Sequence, residues 1–142
     1  MSLEDLSSLL GAMIPFAQKI LTEGGSFPPF AGSVDAEGSV HGFSAKPEAA
    51  ELPAEEIVEL LVASLRESVQ RGECRAAAIY SDVRVAREAG GEKFDAIAIS
   101  LESTDGTSME CYMPYKKSEA GTYDYQDLFG GVIPPRIFDS VK

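Results

Sequence analysis

The clearest pattern in the chain is a period-two alternation in its second half. Between Ala77 and Val85, apolar Ala77, Ile79, Val83 and Val85 alternate with Tyr80, Asp82 and Arg84. Next, Ile97, Ile99 and Leu101 point one way, and Phe94, Ala96, Ala98 and Ser100 the other. Successive strand side chains point to opposite faces, so the first segment predicts a half-buried strand and the second a central strand, apolar on both sides. Met109, Cys111 and Met113 then alternate with Glu110 and Tyr112, a third strand that Pro114 is expected to end. Ala89-Gly90-Gly91 and Asp105-Gly106 separate the three runs, and Asp-Gly between alternating runs is a strong hairpin signal. The block predicts an antiparallel meander.

Elsewhere the spacing is helical. Leu3, Leu6, Leu9, Leu10, Met13, Ala17, Ile20 and Leu21 predict a helix over 1–24, opened by the capping-box-like Ser2-Leu3-Glu4-Asp5 and closed by Gly24-Gly25. Pro15 interrupts this pattern, so a kink or break is expected near Ala12–Ile14, eased by Gly11. A second helix opens at Pro53, where a missing N–H costs nothing, and Gly72 stops it. Its buried stripe is Ile57, Leu61 and Leu65, flanked by Val58, Val62 and Val69. Glu55, Glu56 and Glu59 suit the positive end of its dipole, and Arg66 and Arg71 the other end.

Between the helices, Phe27, Phe30 and Val34 precede Asp35-Ala36-Glu37-Gly38, and Val40 and Phe43 follow it, which predicts a hairpin. Pro28 and Pro29 cannot donate ladder bonds, so its first strand is an edge strand or starts after them. Residues 46–52 read as a linker. The stretch 115–142 has no period, yet Tyr115, Tyr123, Tyr125, Leu128, Phe129, Ile133, Ile137 and Phe138 make it too apolar for a disordered tail. It is predicted to dock irregularly across the domain, with a turn of helix at Tyr125–Phe129.

The predicted fold class is therefore α+β, one domain over 1–142 in the order α-β-β-α-β-β-β plus a tail. A five-stranded, mostly antiparallel sheet with the two helices on one or both faces satisfies that order. Ile79, Val83, Ile97, Ile99, Leu101, Met109 and Cys111 should form its core, with Ile57, Leu61 and Leu65 above them. The order of elements resembles that of small sensor and scaffold domains of the profilin-like and roadblock-like kind. The likeness is of order alone, carries no shared motif, and implies nothing about function.

Composition narrows the function classes. Twelve Lys and Arg against 23 Asp and Glu give a net charge of −11. That balance repels nucleic acid and anionic membrane, and it attracts a basic partner or simply keeps the protein soluble. No run approaches the ~20 apolar residues that span a bilayer. The first residues carry Glu4 and Asp5 where a signal peptide needs bases, so a cytoplasmic location is expected. Cys74 and Cys111 match no metal spacing and read as reduced, buried thiols.

Candidate chemistry is sparse. His41, the sole histidine, has no orienting acid or nucleophile beside it in sequence and reads as a solvent-facing strand residue. Cys111 would need His41 nearby in space to act as a nucleophile. Asp82, Asp95, Glu102 and Glu110 fall on three adjacent strands. They could hold Mg²⁺ or serve glycoside hydrolysis, or else form a solvated face with Arg84 and Lys93 as partners. No catalytic residue, metal ligand or cofactor is assigned. Glu48, Glu51, Glu55, Glu56 and Glu59 form an acidic run, a docking surface or the solvated start of a helix. Tyr112, Tyr115, Tyr123 and Tyr125 cluster in sequence, and Tyr is enriched at interfaces because it buries area and keeps a polar end.

The expectation is a non-catalytic module that binds another protein with a basic surface or itself, and neither nucleic acid nor membrane. An immunity or inhibitor protein covering a basic toxin or nuclease is a specific version. Tyr112, Tyr115, Tyr123 and Tyr125 would anchor, with Glu55 and Glu59 steering. The alternative is a small enzyme or ligand-binding domain using the sheet carboxylates.

Overall fold

The computed structural model describes residues 2–24, 27–44, 52–86, 90–104, 106–134 and 137–138. Two helices, α1 (Ser2–Gly24) and α2 (Ala54–Gln70), accompany strands β1 (Phe30–Val34), β2 (Val40–Ser44), β3 (Ala76–Val85), β4 (Phe94–Ser103), β5 (Ser108–Lys117), β6 (Tyr123–Tyr125) and β7 (Phe129–Val132). All strand pairs are antiparallel, in the order β2-β1-β3-β4-β5-β6, with β7 also on β5. The class is α+β, as the pattern predicts. Among the described residues no helix is long and apolar enough to cross a membrane.

Among the described residues the sheet has seven strands rather than five. The tail supplies the extra two. β7 pairs with Met109–Tyr112 and β6 with Tyr115–Lys117, so the outer edge of β5 is covered instead of standing as a row of unpaired backbone groups. Gly130 makes this possible, because a Cβ there would run into the Glu110 carbonyl oxygen. The expected helical turn at Tyr125–Phe129 is absent; residues 126–128 are irregular between the two strands. Pro114 does not end β5. It forms the last pair with β4, opposite Ala96, at the junction between β7 and β6, and its carbonyl accepts the Gln126 N–H.

Register decides the layers. Ala78 faces Leu101, Tyr80 faces Ile99 and Asp82 faces Ile97 across β3 and β4. The buried Ile97, Ile99 and Leu101 therefore lie with Ala76, Ala78 and Tyr80 under α1, not beneath Ile57, Leu61 and Leu65. Those α2 residues pack with Ala31, Ala77 and Ile79 on the opposite face. The helices thus take opposite faces. Val83, Met109 and Cys111, expected to be largely buried, are half-buried because no helix among the described residues covers them closely.

α1 runs unbroken through Pro15. Pro15 and Gly11, four residues earlier, are both exposed, so the carbonyl that loses its partner turns to water. The helix approaches β1 and β2 closely where side chains vanish. A Cβ on Gly32 would stand 3.1 Å from both Leu9 Cδ2 and Met13 Cγ. Tyr80 fills the space beside this contact, stacked on Phe30 at 5.0 Å and donating its hydroxyl to the Leu9 carbonyl at 3.0 Å. Arg75 ties the corner, donating to Asp5 Oδ1 at 2.9 Å and to the Ala36 carbonyl at 3.3 Å. The hairpin turn closes with Gly38 at φ 89°, a conformation that suits glycine. Ala89, Asp105, Glu48, Glu51, Gly25 and all of the 46–52 linker but Leu52 lie outside the described residues.

The core assignment is testable by equilibrium denaturation. Leu61, 2% exposed, should cost roughly 2–5 kcal/mol on truncation to Ala. Glu56→Ala, at an exposed position, should change stability by less than about 0.5 kcal/mol. Equal losses from both would contradict the helix orientation.

Candidate functional site

α2 rests on β1 and β3. Over the β4–β5 half of the same face no helix lies among the described residues. A groove of about 350 Å³ opens there, between the N-terminal half of α2 and the sheet. Glu55, Val58, Glu59 and Val62 follow the i, i+3, i+4, i+7 spacing that sets residues on one flank of a helix, beside the core stripe of Ile57, Leu61 and Leu65. Glu55, Val58 and Glu59 line the groove wall, Val83 and Ala98 its apolar floor, and Glu110 its far side. Glu110 stands opposite Ser100 on the β4–β5 ladder.

Tyr112 extends this floor. It lies two residues beyond Glu110 on the same face of β5. Burial raises its phenol, and the Glu110 charge adds to the rise. Its ring lies 5.5 Å from Phe129, which lies 6.0 Å from Phe94. An acidic rim thus passes into an aromatic row.

The other three tyrosines sit on the α1 face. Register puts Tyr125 opposite Tyr115 and Tyr123 opposite Lys117. Ring centroids are 5.8 Å apart for Tyr115–Tyr123 and 6.4 Å for Tyr123–Tyr125. Tyr115 is buried and donates its hydroxyl to Asp82 Oδ1 at 2.5 Å. Burial, then the Asp82 carboxylate, drives its phenol far above the ordinary range. Burial also raises Asp82, a nearby Asp95 charge adds to this, and the Tyr115 hydrogen bond opposes it. Tyr123 and Tyr125 pack against the α1 core, so these rings hold the tail to its own sheet. Of the six candidate binding residues, the structure gathers Tyr112, Glu55 and Glu59 and sets Tyr115, Tyr123 and Tyr125 on the opposite face.

The sheet carboxylates divide in the same way. Asp82 and Asp95 share the α1 face, with Arg84 opposite Asp95 in the ladder, while Glu102 and Glu110 share the α2 face. Glu102 is fully buried and accepts the backbone N–H groups of Ile137 and Phe138 at 2.7 and 3.1 Å, pinning the last described residues beside α2. Among the described residues no three His, Cys, Asp or Glu side chains gather as metal ligands. Cys74 and Cys111 are both free, Cys74 with the α2 cluster and Cys111 on the α1 side of β5. Burial raises both thiols. His41 and Cys111 are separated by four inter-strand steps, about 19 Å.

His41 does have a carboxylate partner, against the reading from local sequence. Asp35 Oδ2 lies 2.7 Å from its Nε2, because the hairpin folds the two together six residues apart. Two further features escape the linear sequence. An apolar groove of about 410 Å³ runs between α1 and β2, lined by Met13, Phe16, Phe30 and Gly42. A cavity of about 510 Å³ opens where β4 and β5 part beyond the Ala96–Pro114 pair, and Arg84, Lys93, Lys116 and Lys117 converge on it with Glu92 and Asp95. The cavity takes residues from both faces of β5, Pro114 and Lys116 from one and Tyr115 and Lys117 from the other, so alternation along the strand does not reveal it and only the parting of the two strands does. No family model, curated protein or solved structure matches the chain.

Asp35 offers a pH test of the hairpin. Its carboxylate is held at about 2, first by the His41 side chain and then by the Ser39 and Glu37 N–H groups. The folded value lies below the ordinary 3.8, so its stabilisation is present above that pH and is lost as pH falls toward about 2. Carboxylate-detected NMR should find a midpoint near 2, and Asp35→Asn should flatten the acid limb of the denaturation midpoint. An ordinary midpoint would remove the hydrogen-bonded turn from the account.

Proposed function

We propose that the chain is a non-catalytic protein-association module that works through its α2 face. The observation that carries this reading is the groove beside α2, with Glu55, Glu59 and Glu110 around an apolar floor that continues into Tyr112 and Phe129. A partner suited to it brings Lys or Arg to the rim and an apolar or aromatic side chain to the floor. The rim accelerates encounter, and the aromatic row supplies the area that holds the complex. The net charge of −11 acts in the same direction at longer range. The same surface suits an inhibitor that covers a basic toxin or nuclease. The enzyme alternative draws less support, because its carboxylates lie on two faces of one sheet. The two free thiols support a cytoplasmic setting.

A lysine-rich amphipathic peptide titrated into isotope-labelled protein tests the surface. Amide shifts should gather at Glu55–Glu59, Ser81–Val83, Ala98 and Glu110–Tyr112. Glu55→Lys/Glu59→Lys should weaken binding by about tenfold at low salt, with less effect at high salt. Shifts confined to Tyr115, Tyr123 and Tyr125, or to the groove beside Phe16, would overturn the assignment.

A further inference from the structure

Basic residues are scarce in this chain, twelve against 23 acids, yet four of them line one cavity. It lies at the end of the sheet where β4 and β5 part beyond the Ala96–Pro114 pair, and it holds about 510 Å³. Register brings Arg84 and Lys117 to it from the α1 face and Lys116 from the α2 face, while Lys93 stands just ahead of β4. Pro114 and Tyr115, both buried, and the half-buried Phe94 supply its apolar wall. The cavity shares no lining residue with the groove beside α2.

Like charges that converge repel one another unless something offsets them. Among the described residues none of the four cations makes an ion pair, although Arg84 stands opposite Asp95 in the β3–β4 ladder. Lys117 lies over the Tyr123 ring, 5.9 Å from its centroid, which leaves its charge unneutralised. An anion seated among the four removes the repulsion. Arg offers a fork of donors that matches phosphate or carboxylate, and the lysines add compact charges. Four cations exceed what one carboxylate can use, whereas a phosphate monoester carries nearly two charges and several terminal acceptor oxygens. Glu92 and Asp95 line the same cavity and would repel a ligand that offers acceptors alone. Hydroxyl donors on the ligand answer them, and the Gln126 amide beside them can donate or accept. The volume lies in the range of small-molecule sites.

We propose that this cavity binds a small phosphorylated polyol of the sugar-phosphate class. Arg84, Lys93, Lys116 and Lys117 take the phosphate, Glu92, Asp95 and Gln126 take the hydroxyls, and the carbon skeleton rests on Phe94 and Pro114. A polynucleotide fits this chemistry poorly, since it needs a basic track along many phosphates and the basic group here is confined to one cavity with two acids in it. The site stands independently of the reading of the α2 face.

Calorimetric and NMR titrations of the full chain with ribose-5-phosphate and with inorganic phosphate, at low ionic strength, test it. The sugar phosphate should bind at a single site, more tightly than inorganic phosphate, and should weaken with salt. Amide shifts should gather at Phe94, Asp95, Lys116, Lys117 and Gln126. Arg84→Gln/Lys116→Gln, both at exposed positions and checked for folding by circular dichroism, should lower the affinity at least about tenfold. Arg71→Gln, an exposed cation ahead of β3, should leave it unchanged. Glu92→Gln/Asp95→Asn should tighten inorganic phosphate and erase the preference for the sugar phosphate. No binding of the sugar phosphate would overturn the proposal, as would equal affinity for the two probes in the wild type. Equal losses from the Arg84/Lys116 and Arg71 variants, or an oligonucleotide that binds more tightly than the sugar phosphate, would overturn it as well.

Discussion

β3 and β4 bury side chains on both of their faces, and the rest of the structure follows from that. A sheet apolar on two sides needs a layer over each. α1 supplies a long one over Tyr80, Ile97, Ile99 and Leu101. α2 supplies the other over Ala31, Ala77 and Ile79 only, with Ile137 and Phe138 completing it beside Glu102. The half of the sheet left between α2 and β5 becomes the surface on which the functional reading rests. Its character is set by the α2 flank that faces it and by the alternate residues of β5 that point into it.

Close approach and polar pins hold this arrangement. Gly32 and Gly42 let Met13 settle on the sheet, a contact any larger side chain would push away. Arg75 links the start of α1 to the β1–β2 turn, and its own backbone joins Val34 to Thr104. Glu102 would be costly to bury without partners, and two backbone N–H groups answer it. Each pin joins segments far apart in sequence, so the open half of the α2 face stands on a rigid frame.

Periodicity made the helices and the meander legible. The Ile57–Leu61–Leu65 stripe and the two-sided β4 both appear where alternation and helical spacing put them. Facing was not legible, because a strand apolar on both sides does not say which of its faces takes which helix; only the Ala78–Leu101 register assigns Ile97, Ile99 and Leu101 to α1. β6 and β7 were hidden because they are short and rich in Gly and Tyr, without enough residues to show a period; their pairing comes from the exposed edge of β5. The tyrosines cluster in sequence yet divide in space, since Tyr112 and Tyr115 differ by an odd number of positions on one strand. His41 found Asp35 through a hairpin that local reading had already drawn, without its cross-turn contact being drawn as well.

Two apolar openings compete as association surfaces, the acid-rimmed face beside α2 and the groove of Met13 and Phe16 on the other side of the sheet. The account rests on the first, where Glu55, Glu59 and Glu110 rim the apolar area. NMR of the methyl groups and rings during titration with the lysine-rich peptide decides between them most directly. The account predicts that signals of Val83, Phe94, Tyr112 and Phe129 move as the peptide is added, while those of Met13 and Phe16 stay fixed. Movement of Met13 and Phe16 with a silent Tyr112 and Phe129 would contradict it.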